Sequence, residues 1–140
     1  MGFLKFSDQF RVGHFLLDQQ HEELFALLSR LHEVVTQKPS PAELQNAMRP
    51  LHFAILNHFQ TEETLMRNNL YPGYFDHKRI HDDVVSKLSD AESQLKRSDP
   101  ALHLSVAIFL KDWLKHHISH EDRLIVAHLE SRMGNPAPER

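Results

Sequence analysis

A chain of 140 residues, 41% hydrophobic and 25% charged, is long enough for one domain with a real hydrophobic core and has the balance of an ordinary globular protein. Its net charge of −3, with no basic stretch, argues against nucleic acid as a partner. The lack of cysteine excludes disulfides, thiolate zinc sites, iron–sulfur clusters and haem attached through C-x-x-C-H, and it fits a reducing, cytoplasmic setting.

Residues 1–17 read as an irregular arm without the long apolar run of a secretion signal, and nothing downstream approaches the ~18–20 apolar residues of a membrane span. A first helix is predicted from Asp18, as N-cap, to about Gln37, where Lys38-Pro39 ends it. A second opens on a capping box, with Ser40 at the cap, Pro41 at the first helical position and Glu43 at the third. It runs to about Arg67, and Pro50 inside it predicts a kink. The third follows Tyr71-Pro72-Gly73 and reaches about Arg97. The fourth starts with Asp99 as cap and Pro100 behind it, runs to about Ser119, and is followed by a short helix to Ser131. The tail from Gly134, with Pro136 and Pro138, is expected to fray. Residues 1–140 therefore read as a single domain: an arm, a bundle over 18–131 and a tail over 132–140.

Each helix carries an inward stripe stepping by fours and threes. In chain order the stripes are Leu17, His21, Leu24, Leu28, Leu31, Val35; then Leu44, Met48, Leu51, Ile55, His58, Glu62, Leu65; then His77, His81, Val84, Leu88, Ala91, Leu95; then Val106, Leu110, Trp113, His117. Helices of this length joined by short loops predict an all-α, up-down-up-down four-helix bundle. Histidine is over-represented, with 12 in the chain. About one H-x-x-x-H pair is expected by chance at that frequency, so His77/His81 alone is a weak signal, and His116/His120 is a second such pair.

The layer is a stronger signal than any pair. His21, His58, Glu62, His77, His81 and His117 all fall in core stripes, near the start of the first and third helices and the end of the second and fourth. In an antiparallel bundle these lie at one end. Burying five imidazoles and a carboxylate together is very costly unless a metal pairs with them. There are too many donors for one structural zinc, and imidazole with carboxylate favours iron, copper or nickel over calcium or magnesium. No Glu is followed three residues later by His, so ferritin-like E-x-x-H motifs are absent, as are H-E-x-x-H, a P-loop and G-x-S-x-G.

The chain resembles the bacterial hemerythrins along nearly its whole length. The matching pieces are Asp18-Gln19-Gln20-His21, His58-Phe59-Gln60-Thr61-Glu62-Glu63 with Leu65-Met66, Tyr71-Pro72 leading to His77-Lys78-Arg79-Ile80-His81-Asp82, and Trp113-Leu114-Lys115-His116-His117-Ile118 ending in Asp122. The resemblance implies that His77, His81 and His117 bind one iron and His21 and His58 the other, with Glu62, Asp122 and an oxo or hydroxo group bridging them. The second iron then keeps an open position, which implies reversible O2 binding for storage, delivery or buffering rather than enzyme catalysis. An O2 or redox sensor module and a di-iron peroxidase or oxidase are the alternatives. Trp113, Leu114, Ile118, Phe25 and Phe59 are candidates to line an apolar O2 pocket, or simply to pack the core.

Two points stay open on the sequence. His117 to Asp122 is a five-residue step, which turns well off one face of an ideal helix, so the helix must end, bulge or bend, or else Glu121 bridges instead. His116 and His120 also offer a rival register, and an inward His120 would stand beside the O2 pocket as a proton donor. Phe6 stands where many relatives have Trp, and neither it nor His14 is given a metal role.

Overall fold

The computed structural model describes residues 4–133. Four long helices, α1 (Phe15–Val35), α2 (Pro41–Asn68), α3 (Tyr74–Leu95) and α4 (Pro100–His116), are followed by a π-helical segment, His117–Asp122, and then α5 (Arg123–Met133). Among the four long helices, contacts link α1 to α2, α2 to α3, α3 to α4, and α4 back to α1. With short connections this is an antiparallel, up-down-up-down four-helix bundle. Among the described residues no helix is long and apolar enough to cross a membrane.

Local signals place the helix starts of α2 and α4. The capping box at Ser40 and Glu43 is present in both directions, and the Asp99 carboxylate accepts from the backbone of Ala101 and Leu102. Pro50 is accommodated inside α2, which continues through it to Asn68. Gly73 precedes α3, and a Cβ there would come within 2.8 Å of the Tyr71 ring, which would have to shift.

The start of α1 differs from the expectation. It begins at Phe15, three residues before Asp18, with His14 as cap, whose Nδ1 accepts from the Leu17 backbone. The Asp18 carboxylate instead turns back and accepts from the backbone N–H groups of Val12 (2.7 Å) and Gly13 (3.2 Å). A side chain that also satisfies the arm's buried donors is stabilised more there than at its own helix end. The described part of the arm packs onto the bundle. It has a 3-10 turn at Asp8–Phe10, and Leu4, Phe10 and Val12 are buried. Phe6 and Phe10 pack edge-on against Phe25. The expected tail begins outside the described residues except for Arg132 and Met133, which belong to α5.

The predicted stripes of α1 and α3 are buried at every position. In α2 the last step falls on Met66 rather than Leu65, because Met66 packs with Ile125 and Leu129 of α5 while Leu65 is only partly buried. In α4 Trp113 is half-buried, and Leu114 takes the interior position beside it. The remaining core is Leu-rich and tight. The gap enclosed by Leu24, Leu28, Leu51, Ile55, Leu110, Trp113 and Leu114 is only about 10 Å3, too small and too apolar to hold water.

Candidate metal centre

One end of the bundle gathers side chains from α1, α2, α3 and the π segment that continues α4. His21 stands in the second turn of α1, His58 and Glu62 one turn apart near the end of α2, and His77 and His81 one turn apart at the start of α3. His117 and Asp122 are the first and last residues of the π segment. Five residues rotate an α-helix by about 500°, or roughly 140° off a common face. The wider i→i+5 register of a π-helix restores that common face. The π segment is thus the local distortion that lets His117 and Asp122 point to the same place, and it leaves Glu121 at the side. All seven side chains are buried, none more than 4% exposed.

Each of the five clustered histidines presents its Nε2 to one or both carboxylates, and each carboxylate divides its oxygens between two groups. Glu62 Oε1 faces His77 (3.1 Å), His81 (3.0 Å) and His117 (3.3 Å), while its Oε2 faces His58 (3.1 Å). Asp122 Oδ1 faces His117 (3.0 Å) and His77 (3.5 Å), while its Oδ2 faces His21 (2.8 Å) and His58 (3.2 Å). The donors therefore fall into a three-histidine half and a two-histidine half joined by two bridging carboxylates. Glu62 Oε2 and Asp122 Oδ1 lie near imidazole nitrogens yet make no hydrogen bond. Converging lone pairs and two buried negative charges without full hydrogen bonding are what a shared cation would satisfy. Two overlapping groups meet the spacing needed for an ion: Glu62, His77, His81 and His117, and His21, His58, Glu62 and Asp122.

The outward faces of three imidazoles fix which nitrogen is free. Thr61 donates its hydroxyl to the Asn57 carbonyl, so its oxygen accepts from the Gln20 amide nitrogen (3.0 Å). That orients Gln20 Oε1 toward His58 Nδ1 (2.9 Å), which must donate, leaving the Nε2 lone pair facing inward. His81 Nδ1 donates to Glu63 (2.9 Å) and His117 Nδ1 to Glu121 (3.0 Å). Partners of this kind orient metal-binding imidazoles and raise their basicity. Gln20, Glu63 and Glu121 were not singled out as orienting groups by sequence. Each is the chain neighbour of a cluster residue, but orients a histidine on its own or another helix.

The electrostatics describe what the cluster does without metal. Burial and the neighbouring Asp122 charge push the Glu62 carboxyl up, but the facing imidazoles of His58 and His117 outweigh them and hold it well below its usual range. Burial likewise opposes ionisation of Asp122, and His117 with the surrounding hydrogen bonds holds that carboxyl well below normal as well. For His58 burial favours the neutral ring, yet Glu62 and Asp122 lift it to about 9. Burial also works against the charged form of His117, which the same two carboxylates raise well above normal. His21 goes the other way: burial dominates and holds it low, and a charged His58 beside it adds to that effect. Protons on the imidazoles then occupy the place of metal ions.

Two aromatic rings pack against this cluster. Phe59 stacks flat on the His81 ring at 3.9 Å between centroids, and Trp113 stacks on His117 at 4.8 Å. Leu114, Ile118 and Phe25 are buried, Phe25 on the side covered by the arm. His120 stands in solvent, stacked on His116, which is also exposed. Neither is brought to the cluster.

The sequence matches the family described as "Hemerythrin HHE cation binding domain" over residues 12–129. It is 27% identical to a bacteriohemerythrin of Methylococcus capsulatus, over 76% of this chain and 81% of that protein. It is 33% identical to a hemerythrin of Sipunculus nudus, over 78% of this chain and 79% of that one. A crystal structure of wild-type hemerythrin superposes with a TM-score of 0.82 at 24% identity, covering 91% of this chain and 98% of the other. With a matching family profile, the same fold, and two carboxylates shared between a three-histidine and a two-histidine half, the chain belongs to the hemerythrin family.

Proposed function

We propose that this protein, working as a single module, binds O2 reversibly at a non-haem di-iron centre and serves in oxygen storage, delivery or buffering. The observation that carries the reading is the asymmetry of the donor set. Three imidazoles and two carboxylate oxygens face one half, but two imidazoles and two carboxylate oxygens face the other. His77, His81 and His117 would hold one iron, His21 and His58 the second, with Glu62, Asp122 and an oxo or hydroxo group as bridges. Such a pair of irons would supply reversible one-electron chemistry at each metal, and the two-histidine half, with one imidazole fewer, would be the side to take O2.

The chain's own residues provide what reversibility needs. Gln20, Glu63 and Glu121 hold three imidazoles in the tautomer that aims a lone pair at the metals. Phe59 packs on His81 and His117, Leu114 and Ile118 are buried, and none of the three carries an exchangeable side-chain proton. His120 faces solvent, away from the cluster, and so is not placed to give a proton to bound O2. A dry, aprotic pocket favours release of O2 over its reduction.

The test is an anaerobic optical titration of the iron-loaded, reduced protein with O2, followed by removal of O2. A spectrum that forms at one O2 per two irons and disappears on deoxygenation supports the proposal. Irreversible oxidation on first exposure would overturn it, and rapid turnover of peroxide would replace a carrier with an enzyme.

A further inference from the structure

Of the twelve histidines, only His116 and His120 are exposed, and they are each other's neighbours. Their rings stack with centroids 5.2 Å apart and planes 24° apart. The Oε2 of Glu121 lies 3.3 Å from His116 Nε2. That separation is close to the edge of a tetrahedron of donors around an ion with bonds of about 2.0–2.1 Å. Two imidazoles four residues apart on one helical face, with a carboxylate beside them, are a common donor set for borderline divalent ions. The other oxygen of Glu121 accepts from His117 Nδ1, so this carboxylate reaches from the protein surface to the buried cluster. The π register creates the arrangement, because it keeps Glu121 off the face where Asp122 points inward.

We propose that His116, His120 and Glu121 form an outer site for one divalent transition-metal ion, separate from the buried cluster. The ion takes His116 Nε2, a nitrogen of His120 and Glu121 Oε2, with water completing its shell. Closing the set on one ion calls for the exposed His120 side chain to turn toward Glu121. An ion held there draws on the carboxylate that orients His117, and so sits one side chain away from the inner centre. The site does not depend on the O2 reading, since none of its three donors is assigned to iron.

The experiment is calorimetric titration of the iron-loaded protein with Ni2+, in wild type and in His116→Ala, His120→Ala and His32→Ala. Wild type and His32→Ala are expected to take up one Ni2+ per chain with equal affinity. His116→Ala and His120→Ala should weaken that uptake at least tenfold while leaving iron content unchanged. In the wild type, Ni2+ should also broaden the His116 and His120 ring proton resonances at substoichiometric addition. Uptake equal in all four proteins, or no uptake beyond iron, overturns the proposal. Iron content measured before titration tests the inner centre by itself, so the two assignments fail separately.

Discussion

The two halves of the cluster are held by different outer partners, which allows one to be loosened alone. Gln20→Leu removes the acceptor 2.9 Å from His58 Nδ1 and the donor 3.0 Å from Thr61. An unpaired buried N–H costs about 1–3 kcal/mol. Loss of an outer-shell partner weakens metal binding about 10–100-fold, or about 1.4–2.8 kcal/mol at 1.4 kcal/mol per tenfold. Both effects fall on the two-histidine half, because His81 and His117 keep Glu63 and Glu121. Competition with a ferrous chelator should therefore strip Gln20→Leu in two phases. One iron should leave at about 10–100-fold lower chelator than in wild type, and the second near the wild-type midpoint. Gln20→Glu keeps an acceptor and should release iron much as wild type does. Release from Gln20→Leu at the wild-type midpoint, or loss of both irons in one equally shifted phase, would refute the assignment of separate supports to the two halves.

Glu62→Ala and Asp122→Ala each remove a carboxylate shared by both halves, so either should lose one or both irons, with a lower Tm because bound metal stabilises only the folded state; full iron content and an unchanged spectrum would contradict the bridging roles. Metal loading should release protons: in the metal-free protein His58 is raised to about 9, so it holds a proton at pH 7 that metal must displace, and His117 is shifted in the same direction. The sign follows: the imidazolium–carboxylate pairing stabilises the metal-free fold fully below the ordinary histidine value near 6.5 and fades as pH rises through about 9, while metal affinity climbs over the same interval. A pH-stat during anaerobic Fe2+ addition measures this, and no proton release at pH 7 would contradict it. Asp18→Ala should cost about 1–3 kcal/mol by orphaning the Val12 and Gly13 donors, read as a lower Tm at unchanged iron stoichiometry.

Six of the seven clustered side chains were legible in the sequence, because His21, His58, Glu62, His77, His81 and His117 each share a helical period with aliphatic core residues and short loops force the helices antiparallel. The starts of α2 and α4 were legible for an equally local reason, since a Ser or Asp cap followed by Pro acts within one turn. Asp122 was reachable only through family resemblance, as its five-residue step from His117 breaks the α period, and the choice between it and Glu121 rests on the π register seen in the fold. Asp18 carried a cap signal, but the folded arm supplied two better-placed donors, and which wins depends on residues that the helix itself does not contain. The tautomers of the imidazoles are likewise set across helices, His58 by Gln20 and His81 by Glu63. Periodicity and capping are properties of one segment, so the sequence by itself determined the helices and their inward faces. Hydrogen-bond partners, the π register and the sharing of each carboxylate between two halves arise only where segments meet, and those the tertiary structure decided.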